Sequence, residues 1–207
     1  MPAIGRPRGF DRSVALERAT EVFWTRGYDA ASLVDLAQAM GIAQSSLYAA
    51  FGSKLELFTE AVDTYMRRYA EIFVRACAEE PSALTAAARI LHESVDSFTA
   101  PGQPAGCLTT SAAISGGAGT FDVRAAVARK QRANASVLHE RIAASLQEGQ
   151  IHGDAEPEVL ADFIMTLWHG LSAAAGTGVS GSELHKVVDV ALEAWPASST
   201  NVSDPSS

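Results

Sequence analysis

A chain of 207 residues, 47% hydrophobic and 19% charged, can bury a substantial core and has the composition of a globular protein. It has no unbroken stretch of apolar residues long enough for a bilayer span, no apolar signal segment at the start, and only two cysteines, Cys77 and Cys107. A membrane span, secretion, a disulfide framework and a bound metal or cofactor are therefore not expected, and the cytoplasm is the expected location.

The net charge of −8 counts against a nucleic-acid partner until its distribution is read. Residues 1–58 hold as many basic as acidic side chains, so the excess acid lies in the remainder. Arg6 and Arg8 precede the first acid, Asp11, leaving a purely basic tail. A neutral head on an acidic body suits a protein that touches DNA at one end only.

Ala-, Leu- and charge-rich segments without alternating strand patterns predict an all-α protein. The first helix is expected from about Asp11 to Arg26, stopped by Gly27. Ser32 with Asp35 caps a second helix, which carries Leu33, Leu36, Ala37 and Met40 on one face and ends at Gly41. A short third helix covers about Ala43 to Ala50. Ser53 and Glu56 form a capping box for a long fourth helix, ended before Pro81. A fifth runs from Leu84 to Phe98, and residues 101–106 are a loop by their breakers. A short helix from Cys107 to Ile114, a long one from Phe121 to Gly149, and two more over 157–175 and 182–195 follow, with Ser182 as candidate cap. The Ser/Pro-rich segment 196–207 is expected to be a disordered tail.

The informative unit is Ser32 to Phe51. Two short helices joined by a glycine turn make a helix-turn-helix arrangement, with Leu36, Ile42 and Leu47 fixing the angle between them. The outer face of the third helix is Gln44, Ser45, Ser46 and Ala49. Small, polar and free of acids, such a face can enter the major groove, where glutamine pairs with adenine edges. A purely architectural hairpin in a helical interaction or enzyme domain is the competing reading.

These residues resemble the TetR/AcrR regulators. The resemblance rests on Phe23-x-x-x-Gly27-Tyr28, then Ser32-Leu33-x-x-Leu36-Ala37, Gly41-Ile42, and Leu47-Tyr48-x-x-Phe51-x-Ser53-Lys54-x-x-Leu57. It implies a homodimeric repressor, released from palindromic double-stranded operator DNA by a small-molecule effector. The three-helix head would span 1–53, and an effector-binding and dimerisation bundle 54–195. Carried over by position, Tyr48, Lys54 and Ser32 would touch phosphates, and Gln44, Ser45 and Ser46 would face base edges. Arg6 and Arg8 would reach a minor groove or the backbone. The sequence departs from the family's pattern at Ala43 and at Ala49–Ala50, where a hydroxyl cap and bulkier polar or aromatic side chains are usual.

In the body, Met66, Tyr69, Phe73, Phe98, Cys107 and Trp168 are candidate walls of an effector pocket, although their spacing equally suits plain core. Phe163, Leu167, Leu171, Val187, Val188 and Ala191, on the two closing helices, are candidates for a two-fold seam. Cys107 opens a short helix, where a thiol could act as a sensor; a small buried hydrophobe is the alternative. His139-Glu140 lacks the second histidine of a zinc-protease helix, and Gly117-x-Gly119 has no preceding strand to make a nucleotide loop. His169, beside Trp168, reads as a packed residue.

Overall fold

The computed structural model describes residues 10–110, 121–151 and 155–196. Eight helices of a turn or more account for most of them: α1 (Arg12–Ala30), α2 (Leu33–Met40), α3 (Gln44–Phe51), α4 (Lys54–Glu79), α5 (Ala83–Phe98), α6 (Phe121–Gln147), α7 (Pro157–Gly176) and α8 (Gly181–Glu193). The all-α expectation holds, with an N-terminal helix-turn-helix head and a C-terminal helical body. Of the expected helix at 107–114, residues 108–110 are helical and the rest lies outside the described residues, as do Gly117, Gly119, Arg6, Arg8 and the tail beyond Pro196.

Local chemistry sets most helix starts. The Asp11 carboxylate accepts from the Ser13 hydroxyl at 2.7 Å and from the amides of Val14 at 3.3 Å and Ser13 at 2.9 Å, and these bonds hold its pKa below the usual aspartate value. Full capping boxes open α2 (Ser32 with Asp35), α4 (Ser53 with Glu56) and α5 (Ser82 with Thr85). A fourth box opens α8, but its cap is Ser180, not the expected Ser182. Of the two serines only Ser180 lies three residues ahead of an acid, Glu183, that can bond back to the cap amide. Gly27 breaks α1 with φ 75° and ψ 170°, yet one further turn follows to Ala30, so the glycine acts as a kink rather than a stop.

The fourth helix threads both parts of the molecule. At its start Leu57 and Phe58 are buried in the head core with Ala19, Phe23, Leu36 and Leu47. Phe23 meets the Phe58 ring edge-on at 5.0 Å. Further along, Tyr69 and Phe73 enter the body core with Ile90, Leu91 and Phe98 of α5, Leu138 and Ile142 of α6, and Trp168 of α7. Trp24 of α1 joins the two cores, its ring 4.9 Å from that of Tyr65 on α4.

The seventh helix is long and apolar enough, by composition, to cross a bilayer. Its Ile164, Met165, Trp168 and Leu171 are buried among the other helices, whereas Val159 and Phe163 on its other side are exposed. A helix apolar on two sides is what a core element with a second docking face requires.

Candidate nucleic-acid interface

The angle between α2 and α3 is set by Gly41, whose φ of 68° and ψ of 31° place it in the left-handed region that favours glycine. The Ile42 amide donates back to the Ala37 carbonyl at 3.1 Å, closing the turn. Leu47 and Phe51 turn inward and are buried, which leaves Gln44, Ser45, Tyr48 and Ala49 exposed and Ser46 half-buried. Tyr48 is 50% exposed, so it is not a core tyrosine. No side chain caps α3 at Ala43. Beside this helix lies a shallow depression of about 320 Å³, bounded by Phe10, Ile42, Ala43, Ser46, Ala49 and Ala50.

Lys54 is the first residue of α4. Its ammonium sits 4.5 Å above the centre of the Tyr28 ring and donates to the Asp29 carbonyl at 3.4 Å. Partial burial lowers its pKa from the ordinary lysine value, opposed by the Asp29 carboxylate. The cation is thereby held at the helix N-terminus instead of sweeping through solvent. Ser32 is exposed, but its hydroxyl donates to Asp35 at 2.6 Å and accepts from the Asp35 amide at 3.1 Å. A phosphate could take that hydrogen only by displacing Asp35, whose carboxylate also pairs with Arg26 at 2.9 Å.

Arg12 supports the interface from behind, and the sequence pattern does not reveal that role. Its guanidinium forms a fork with the Glu60 carboxylate, donates to the Ala50 carbonyl at 3.4 Å, and lies 4.4 Å from the centre of the Phe51 ring. The bonds to Glu60 raise its pKa further above the ordinary arginine value. Arg12 is therefore a strut tying the start of α1 to the end of α3 and to α4. Its partners lie 38 and 48 residues away in sequence, and no local pattern announces them.

In the body, Met66, Tyr69, Phe73, Phe98, Cys107 and Trp168 are all buried. The Trp168 ring lies 5.2 Å from Phe98, 5.9 Å from Tyr69 and 6.4 Å from Phe73, and its Nε1 donates to Ser94 at 2.9 Å. The Tyr69 and Ser97 hydroxyls share a hydrogen bond of 3.0 Å. Cys107 is 1% exposed and its sulfur lies 3.0 Å from the Thr109 hydroxyl, which places it in the packing. Burial pushes the Cys77 thiol up to about 11, well away from thiolate chemistry at neutral pH. His169 packs on Trp168 with ring centres 5.2 Å apart, and burial lowers its pKa, which favours the neutral ring. The hydroxyls of Ser172 and Thr110 are buried without a hydrogen-bond partner among the described residues.

The candidate seam needs correction. Phe163 and Val187 are exposed and Leu167 and Ala191 half-buried, but Leu171 at 2% and Val188 at 0% belong to the protomer's own core. Both sides of these helices are apolar, and periodicity alone does not say which side faces inward. The outward face carries Val159 and Phe163 on α7 and Val187 and Val190 on α8.

Comparison with known proteins joins these parts. Residues 15–61 match the family model of bacterial regulatory proteins of the tetR family, and residues 84–191 the tetracyclin repressor-like C-terminal domain. The HTH-type transcriptional repressor ComR of Escherichia coli is 30% identical over 193 residues, covering 93% of this chain and 92% of its own. Among solved structures, a cysteine mutant of the regulator CifR, complexed with 26-bp double-strand operator DNA, superposes with a TM-score of 0.87. It is 41% identical over 92% of this chain and 100% of its own. A transcriptional regulator from Rhodococcus sp. RHA1 is 31% identical over 91% of this chain and 100% of its own, with a TM-score of 0.61.

Proposed function

Because this chain belongs to the TetR family of helix-turn-helix transcriptional regulators, we propose that it is a repressor that grips a palindromic operator as a homodimer and releases it when a small effector enters the body. The observation that carries this reading is the exposed, acid-free face of α3, with the Lys54 cation fixed beside it. Gln44, Ser45 and Ser46 read base edges; Tyr48 and Lys54 hold phosphates, and Arg6 and Arg8 add contacts from the tail. Ser32 contributes through the start of α2, its hydroxyl being committed to Asp35. The relatives are transcriptional regulators, one of them in complex with operator DNA, and that supports regulation rather than catalysis.

The head comprises residues 1–53, and the body begins at Lys54. Val159, Phe163, Val187 and Val190 form the outward stripe of the dimer seam, where burial against a second copy removes their apolar surface from water. The effector site lies among Met66, Tyr69, Phe73, Phe98 and Trp168, and an apolar molecule carrying a hydrogen-bonding group suits it. The unpartnered hydroxyls of Ser172 and Thr110 support that choice. Such a protein works in the cytoplasm, where its operator is.

Titration of the protein against the DNA upstream of its own gene, at two salt concentrations, tests this. Lys54→Ala is expected to weaken specific and random DNA alike and to lower the salt slope by roughly one unit. Gln44→Ala is expected to relax preference at one base position per half-site. An unchanged slope in the lysine variant removes Lys54 from the phosphate contacts; no preference for any upstream fragment removes the repressor reading itself.

A further inference from the structure

Between α5 and α8 lies a polar cluster that the DNA-binding reading does not use. His92 Nδ1 is 2.7 Å from His185 Nδ1, with the rings edge to edge, their centres 5.0 Å apart and their planes within 25° of each other. Their other nitrogens face carboxylates across the helix pair: His185 Nε2 to Asp96 Oδ1 at 3.0 Å, and His92 Nε2 to Asp189 Oδ1 at 3.3 Å. Each helix thus supplies a histidine and, four residues on, an aspartate, and each histidine binds the other helix's aspartate.

Counting hydrogens decides what holds this square together. An ionised carboxylate only accepts, so a hydrogen on each Nε2 suits both aspartates: His185 Nε2 is hydrogen-bonded to Asp96, and His92 Nε2 stands within ion-pair range of Asp189. With no further hydrogen, two Nδ1 lone pairs would face each other at 2.7 Å; with two, a pair of N–H groups would collide. One hydrogen between them satisfies both rings and leaves one positive charge on the pair, set against two aspartates. A metal ion fits less well. Tetrahedral zinc with bonds near 2.0–2.1 Å holds nitrogens about 3.3 Å apart, and among the described residues no three or more such side chains are placed so that they could hold a metal ion together.

We propose that His92 and His185 form a proton-dependent clasp that pins α8 to α5, closed while the pair shares one proton and open when it loses that proton or gains a second. The other charged side chains nearby are engaged elsewhere. On α5, Arg89 is bound to Glu93 and to Glu79 and Glu80 at the end of α4, and Arg75 of α4 also binds Glu93. On α8, Lys186 acts on Glu183. Among the described residues, α6 and α7 place no ion-pair partner against either ring, and Asp96 and Asp189 are the carboxylates that do. Since α8 also carries Val187 and Val190, the clasp sets the placement of half the outward stripe. That consequence for dimerisation and operator release rests on the function proposed above; the clasp itself does not.

The test is amide hydrogen exchange of α8 in the full-length protein, corrected for the intrinsic pH dependence of exchange, between about pH 5 and pH 9. Protection is expected to pass through a maximum and fall on the order of tenfold on each side, as loss of a charged hydrogen bond implies. His185→Gln is expected to flatten the curve. Nitrogen-15 spectra of histidine-labelled wild type, recorded at the maximum, should show both Nε2 atoms protonated and one proton shared by the Nδ1 pair. A pH-independent wild type, an identical profile in His185→Gln, or a bare Nε2 on either ring overturns the clasp. So does stoichiometric zinc uptake that EDTA reverses together with the protection, which would assign a metal instead. Should His185→Gln fail to fold, the wild-type spectra decide alone. Operator binding measured in parallel separates the two ideas, because a clasp that titrates as described in a protein that binds no operator indicts only the repressor reading.

Discussion

The head and the body treat polar side chains in opposite ways. Around the body's aromatic cluster several turn inward and pair with one another: Trp168 donates to Ser94, and Tyr69 pairs with Ser97. On α3 they turn outward: Gln44, Ser45 and Tyr48 are exposed, and the helix is held from behind by buried Leu47 and Phe51 and by the Arg12 strut. Even its N-terminus lacks a side-chain cap, whereas its neighbours α2 and α4 carry complete boxes. A surface meant for another molecule keeps its hydrogen-bonding groups uncommitted, and its stability must come from residues outside that surface.

The contrast breaks most violently at Trp168. Trp168→Ala removes a fully buried side chain from the middle of the aromatic cluster and leaves the Ser94 hydroxyl without its donor. A loss of about 3–5 kcal/mol is expected, which denaturant unfolding would register as collapse of the body. If stability falls by much less, the cluster is not the body's structural centre and is looser than its ring spacings indicate.

A smaller effect separates the two apolar sides of the closing helices. Phe163→Glu places a charge at a 40%-exposed position of the outward stripe, so the protomer should keep its helical content while the dimer weakens on the order of a hundredfold or more. Val188→Glu puts the same charge at a fully buried position and should yield unfolded or insoluble protein. Sedimentation together with circular dichroism distinguishes the outcomes. A Phe163→Glu protein that remains a dimer moves the seam elsewhere.

What could be read from sequence was what is local. The capping boxes at Ser32 and Ser53, the Gly41 turn and the inward positions Leu36 and Leu47 depend on neighbours within one or two turns, and the spacing records them. What stayed hidden joins distant segments. The Arg12–Glu60 pair spans 48 residues and the His92–His185 contact 93, and neither leaves a periodic trace. Val187 and Val188 differ by one residue and by about a quarter-turn, so an apolar run does not tell which of them meets the protomer's own core. Lys54 comes from the resemblance, at its Ser53-Lys54 pair, but its seat over Tyr28 depends on how α1 ends beyond the Gly27 kink.

The mildest test returns to the uncapped start of α3. Ala43 has the extended backbone of an N-cap, φ −69° and ψ 149°, and its carbonyl already accepts from the Ser46 and Leu47 amides at 3.0 Å. Only a side-chain acceptor is missing. Ala43→Ser supplies one without altering backbone geometry, and a serine at such a position is worth about 1 kcal/mol over alanine. For a chain of this size that raises Tm by roughly 2–4 °C. Because Ala43 flanks the reading face without carrying any of its hydrogen-bonding groups, operator affinity should change by less than about threefold, a shift below 1 kcal/mol. Differential scanning calorimetry and DNA titration on the same preparation give both numbers. A rise in Tm with affinity retained shows that the bare cap is a local stability defect, independent of DNA contact. A rise in Tm with a tenfold loss of binding would show instead that the free amides of the first turn are held open for the operator, and would extend the interface from the side chains of α3 to its backbone.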